Sequence, residues 1–286
     1  MNKYMLSFAL ILIGISACRK KADTGSSSVV QLSQSPGNLG SRLVDAGGNS
    51  LYYFANDANG ANNCTGGCAD VWPVFYAGDN LTQDLIGQGL ALSDFGTIIT
   101  STGKKQTTYK RWPLYYFAPP TNGRFIQEAA GATGGENINN VWFVAKPDYT
   151  IQIVSAQLVG QDGKKYKSDY TEGDGITTYF VDDKGRTLYT FKADKFNVNL
   201  YTLRDFSNNA IWPIYETSKI VIPSALDKSL FDSINIFGKK QLTYKGWPLY
   251  YFGEDGSLRT SNKGVSVPTP GIWPVPVKDM QAAPQL

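Results

Sequence analysis

Two cysteines four residues apart, in Cys64-Thr65-Gly66-Gly67-Cys68, are the sharpest chemical feature of this 286-residue chain. In an exported protein such neighbours usually join, and two intervening glycines let the chain bend to disulfide geometry. A structural disulfide is therefore expected, with a reactive thiol pair and a metal site as alternatives. The spacing differs from the Cys-x-x-Cys of thioredoxin-like oxidoreductases, and no βαβ pattern surrounds it. Closing so short a loop adds little chain-entropy stabilisation, so its use would be local shaping.

Carboxylates come next. Asp57, Asp194 and Asp255 each follow an aromatic strand, in a turn containing Asn or Gly. Asp and Asn side chains bond nearby amides in such turns, and that is the expected role. Asp57-Ala58-Asn59-Gly60 shares part of a calcium loop but lacks its terminal acidic ligand. Calcium is thus a weak alternative, a zinc site would need Cys64 and Cys68 plus carboxylates, an uncommon set, and no metal ligands or cofactor are assigned. Glycoside hydrolysis needs two carboxylates at a set separation, and nothing in the chain fixes one. There is no histidine, which excludes Ser-His-Asp and Cys-His devices and removes the commonest general base and metal ligand. No catalytic residue is assigned, and the reading leans away from an enzyme.

The elements that position these groups are written twice. Gly103 to Phe117 reads GKKQTTYKRWPLYYF, and Gly238 to Phe252 reads GKKQLTYKGWPLYYF, identical at 13 of 15 positions. Val44-Asp45 through Leu51-Tyr52-x-Phe54 matches Val181-Asp182 through Leu188-Tyr189-x-Phe191. All six tryptophans fall in matched segments, pairing Trp72 with Trp212, Trp112 with Trp247 and Trp142 with Trp273. Repetition on this scale governs the architecture. Gln241 to Phe252 reads as a hairpin turning at Lys245-Gly246, with Pro248 at a bulge or an unpaired position. Asp45 to Ser50 and Asp182 to Thr187 read as turns, and Ser224 to Phe231 as a short helix. The fold class is all-β, a tandem repeat of two pseudo-symmetric halves, 29–149 and 150–286. A four-unit propeller-like closed ring is the alternative. Recurrence of the Trp-Pro and Tyr-Tyr-Phe segments points to core packing and strand pairing, with a sugar-stacking platform as the rival role.

The first residues carry an address. Lys3, the apolar stretch Leu6 to Ile15 and Ile15-Ser16-Ala17-Cys18 stand in the order of a bacterial lipoprotein signal. Residues 1–17 are expected to be removed, and Cys18 to be lipidated. Residues 18–28 then form a basic and Ser-rich tether. The missing aspartate after Cys18 resembles outer-membrane sorting in Gram-negative bacteria. The net charge of +3 is small and its lysines are scattered, which argues against nucleic acid.

Leu-Tyr-x-Phe-x-x-Asp, then Cys-x-x-x-Cys-Ala-x-x-Trp-Pro, then Gln-x-Thr-Tyr-x-x-Trp-Pro-Leu-Tyr-Tyr-Phe together resemble the bacterial secreted lipoprotein repeat family, known by a Tyr-x-aromatic-x-x-Asp motif. The motif is met at Tyr52, Phe54 and Asp57, at Tyr189, Phe191 and Asp194, and at Tyr250, Phe252 and Asp255. It fails after Tyr115, where Pro120 replaces the aspartate. The second half lacks the cysteine pair, with Asp205 to Ala210 standing where Asn62 to Ala69 would. The resemblance implies export and a repeat architecture but no activity. The expected function is a lipid-anchored envelope protein, a non-catalytic binding or scaffolding module for an envelope protein or glycan. The alternatives are an extracytoplasmic enzyme, either a carboxylate-based glycan hydrolase or a thiol-based redox protein, and an accessory to envelope redox or metal handling.

Overall fold

The computed structural model describes residues 28–35 and 37–286. The signal segment and Cys18 lie outside them. The described chain is all-β, built from small antiparallel sheets with one short α-helix, Gly67–Val71. High aromatic and glycine content favours this, since aromatic side chains suit pleated strands and glycine suits the tight turns between them. No closed barrel forms among the described strands.

Two three-stranded sheets carry the long sequence match. Phe95–Ile99, Lys105–Tyr109 and Trp112–Pro113 form the first, and Phe231–Ile236, Lys239–Tyr244 and Trp247–Pro248 the second. Their registers agree, with Phe95 opposite Tyr109 and Phe231 opposite Tyr244. Pro248 sits inside its strand, opposite Thr243, while Leu249 donates to Leu242 at 2.9 Å. The proline thus occupies a place where no ladder donor is needed. Ser224 to Phe231 is not a helix. Only Lys228–Leu230 makes a 3₁₀ turn, capped by Asp227, and Phe231 already begins a strand.

Beyond these sheets, Tyr115 bridges Tyr52 on one side and Val74 on the other, while Tyr250 bridges Tyr189 and Ile214. In the first half Tyr52–Phe54 pairs with Trp142–Val144. In the second, Thr190 donates to Pro274 at 2.8 Å and Phe180 to Pro276 at 3.1 Å, as Leu43 does to Ala145 at 2.8 Å. Pro274 and Pro276 have no N–H to return, so the same approach of chains makes no regular ladder.

One continuous core contains Tyr53, Trp112 and Phe143 from the first half and Phe180, Tyr189 and Trp212 from the second. The strand Gln152–Val159 helps join them. Ser155 donates to Ala55 at 3.1 Å, and Trp112 Nε1 donates to Gln152 Oε1 at 2.8 Å.

Candidate functional site

The motif residues assemble into one aromatic nest per half. In the first, Trp72 stacks on Trp142 with ring centroids 3.8 Å apart, and Phe54 covers Trp142 at 4.0 Å. Tyr52 meets Trp72 edge-on, Tyr115 meets Trp142 edge-on, and Phe117 leans on Trp72. In the second, Trp212 stacks on Trp273 at 3.7 Å and Phe191 covers Trp273 at 4.4 Å. Tyr189, Tyr250 and Phe252 take the remaining places. Glycine closes each nest. A Cβ on Gly135 would lie 2.9 Å from both Trp72 and Tyr52, and one on Gly264 would lie 2.7 Å from Trp212.

The third tryptophan pair holds the same register, Trp112 opposite Tyr109 and Trp247 opposite Tyr244, but meets different neighbours. Trp112 is buried, bonded to Gln152 and covered by the Arg259 guanidinium at 3.7 Å. Trp247 is half-buried and donates to the Gln281 carbonyl at 2.9 Å. The segments match, but different neighbours reach them.

All three motif aspartates are buried. Asp57 accepts the Tyr115 hydroxyl at 2.5 Å and the Asn63 amide at 2.7 Å. Asp194 accepts the Tyr250 hydroxyl at 2.8 Å and the Leu200 amide at 2.7 Å. Both therefore bond backbone in their own loops while also fixing a tyrosine from a distant strand. Asp255 accepts the Tyr189 hydroxyl at 2.5 Å, Ser261 Oγ at 2.8 Å and the Lys263 amide at 2.9 Å. Its counterpart by contact is Glu128, not the Pro120 of the sequence match. Glu128 accepts the Tyr52 hydroxyl and the Gly134 amide. Each nest thus holds two tyrosine–carboxylate pairs, of which the Tyr52–Glu128 pair is half-buried. Burial pushes Asp57 and Asp194 up to about 7 and Asp255 up to about 6, against the downward pull of these donors. Burial also raises Glu128.

Several supporting residues escaped the sequence reading. Gln106 Nε2 donates to Leu114 at 3.0 Å and Gln241 Nε2 to Leu249 at 2.9 Å. Asn62 and Asn199 each donate to the corresponding glutamine at 2.7 Å. Both asparagines lie five residues after the buried aspartate, a spacing the sequence displays. This corrects the expected loop alignment, because Asn199 rather than Asp205 answers Asn62. Two positions further on, Cys64 is answered by Tyr201. Cys64 and Cys68 are bonded, with Cα atoms 5.3 Å apart, and Cys64 packs with Trp142 and Phe54. Tyr201 instead lays its ring edge-on to Trp273 at 4.8 Å. An aromatic ring fills the space that the disulfide shapes in the first half.

Outside the nests, a cleft of about 670 Å³ opens beside the turn Asp182 to Arg186. Tyr215 and Tyr251 form part of its wall, and Arg186 lies over the Tyr251 ring at 4.2 Å while bonding Asp182 at 2.7 Å. Asp148, Glu216 and Lys219 add charged groups. Among the described residues, no three His, Cys, Asp or Glu side chains gather as a metal-binding group. Nor is any helix among them long and apolar enough to cross a membrane.

No curated protein and no solved structure was found to match the chain. Residues 36–76, which span Tyr52, Asp57, the disulfide and Trp72, match the model of a family described as a secreted repeat of unknown function, the family that the Tyr-x-aromatic-x-x-Asp motif resembles.

Proposed function

We propose that this chain is a lipid-anchored protein of the cell envelope, held at the outer membrane through Cys18, and that it binds glycan without transforming it. The observation that carries this reading is the engagement of the motif carboxylates. Asp57, Asp194 and Asp255 are buried, and each is bonded to a tyrosine hydroxyl and a main-chain amide. A general acid or base must reach the substrate's proton, and these groups are turned inward to hold strands together. The chain also has no histidine, the side chain whose ordinary pKa lies nearest neutrality.

A place for the ligand is the cleft walled in part by Tyr215 and Tyr251. Carboxylates of Asp148 and Glu216, the Lys219 ammonium and the Arg186 guanidinium that covers Tyr251 offer hydrogen-bonding groups of both kinds to the hydroxyl rim of a sugar. The test is calorimetric titration of the detergent-purified protein with soluble fragments of envelope polysaccharide, alongside a hydrolysis screen on the same fragments. Binding that weakens at least tenfold in Lys219→Ala or Glu216→Ala, without turnover, supports the reading. Turnover abolished by Asp57→Asn with the fold intact would overturn it. For the anchor, Cys18→Ala should release the protein from membranes, and unchanged retention would refute lipidation.

A further inference from the structure

Arg111 occupies a backbone position made for glycine. It is the second residue of the tight turn between Lys105–Tyr109 and Trp112–Pro113, with φ of 67°. At the equivalent place the second half has Gly246, with φ of 79°. A side chain in this left-handed region costs on the order of 1 kcal/mol or more. Of the two positions that differ between the matched fifteen-residue segments, this is one. The first half has room for a guanidinium here, whereas in the second a Cβ on Gly246 would lie 2.3 Å from Phe196.

That guanidinium lies on a second cleft, of about 600 Å³, which shares Asp183, Lys184 and Arg186 with the first. Lys110, Lys184 and Arg186 line it with Arg111, against the carboxylates of Asp94 and Asp183. Asp183 is taken by Lys110 at 2.7 Å, and Arg186 is held by Asp182. Among the described residues, neither Arg111 nor Lys184 has a hydrogen-bond or ion-pair partner for its side chain. Both are exposed. Behind them the buried Arg259 sends one guanidinium nitrogen toward the carbonyls of Lys110 and Lys184, at 3.4 and 3.5 Å. Burial, and then the nearby Arg111 charge, pull Arg259 down to about 9, against the upward pull of Asp57 and Asp182. Ser93, Thr108 and Ser257 supply hydroxyl groups along the lining.

We propose that this cleft is a phosphate-binding site, in which Arg111 and Lys184 hold the phosphoryl oxygens of a small phosphorylated ligand. Guanidinium and ammonium groups are the usual partners of phosphate, in a fork and as a point charge respectively. The proposal does not rest on the glycan reading, because it uses a different cleft and a different ligand group.

The experiment titrates the full-length protein in nonionic detergent at low salt with inorganic phosphate, glucose 6-phosphate and glucose, and separately measures sedimentation of the Cys18→Ala protein, free of detergent, with phosphatidylglycerol vesicles. Phosphate and glucose 6-phosphate should bind and compete, and glucose should not. R111G should weaken both at least tenfold while leaving the melting temperature unchanged or higher, because glycine suits that backbone. K184A should also weaken them, and added salt should do the same. Absence of binding by either phosphate probe, or affinity unchanged in both variants, would overturn the proposal. So would binding to vesicles without binding to soluble phosphate, which would make the basic cleft a membrane-facing patch instead.

Discussion

Tyr115 donates its hydroxyl to Asp57 Oδ2 at 2.5 Å, joining a strand to a loop 58 residues earlier in the chain. Tyr250 and Asp194 make the same contact in the second half, at 2.8 Å and a separation of 56 residues. Both carboxylates also accept a loop amide, so each aspartate fixes its loop and the strand crossing it together.

Asp57→Ala should be costly for that reason. It leaves the buried Tyr115 hydroxyl without an acceptor, at about 1–3 kcal/mol, and removes the acceptor of the Asn63 amide in an exposed part of the loop. Asp57→Asn retains an amide oxygen and sheds the buried charge, so it should cost less. Urea unfolding of both variants, with Tyr115→Phe completing a double-mutant cycle, measures the coupling. Equal stability of the alanine variant and the parent would show that the pair contributes nothing.

The same carboxylates set a pH dependence. Their folded-state values, about 7 for Asp57 and Asp194 and about 6 for Asp255, lie above the ordinary 3.8. Between these limits the folded protein keeps protons that the unfolded chain has released, so stability declines as pH rises from about 4 to about 7. Exposed Asp79, Asp162 and Asp227 are lowered by hydrogen bonds and act in the opposite sense, losing stability as pH falls through the range below 4. Urea midpoints should therefore be higher at pH 5 than at pH 8, and Asp57→Asn should flatten the slope. A midpoint that climbs steadily from pH 5 to pH 8 would contradict these shifts.

Gly135 and Gly264 allow the tryptophan stacks to close. Alanine at either would bring a Cβ to within 2.9 Å of the rings, an overpacking that typically costs about 1–3 kcal/mol. Gly67→Ala makes a suitable control, since its Cβ would meet nothing within 4 Å. Thermal unfolding should rank Gly67→Ala above both nest variants. Unchanged melting of Gly135→Ala would mean that the nest relaxes freely.

Thiol labelling of Cys64 and Cys68 without reductant should find neither. The double change to alanine removes a short closed loop worth roughly 2 kcal/mol by chain entropy, so the protein should stay folded. Phe191, Tyr201 and Trp273 should keep their packing, since Tyr201 does there what the disulfide does for Cys64. Loss of the whole near-ultraviolet circular dichroism signal in that variant would refute the local role.

The amino-acid sequence by itself determined the repetition, the all-β class and the pairing of Trp72 with Trp212 and of Trp142 with Trp273. These follow from segments that recur whole, because identical residues on neighbouring strands meet identical partners. Asp57 and Asp194 were legible for the same reason. Tertiary structure alone decided which carboxylate reaches which tyrosine. Glu128 and Asp255 approach Tyr52 and Tyr189 from loops of different length, so they share a place in space without sharing one in the alignment. It also gave Trp112 and Trp247, which share a register, different neighbours. Gln152 and Arg259 enclose Trp112 from the other half of the chain, and contacts across so long a separation leave no local spacing to read. The cleft at Arg111 is of this kind too. Its strain shows as a single Arg-for-Gly difference, but its charge becomes a site only where the Asp182 to Arg186 turn brings Lys184 beside it.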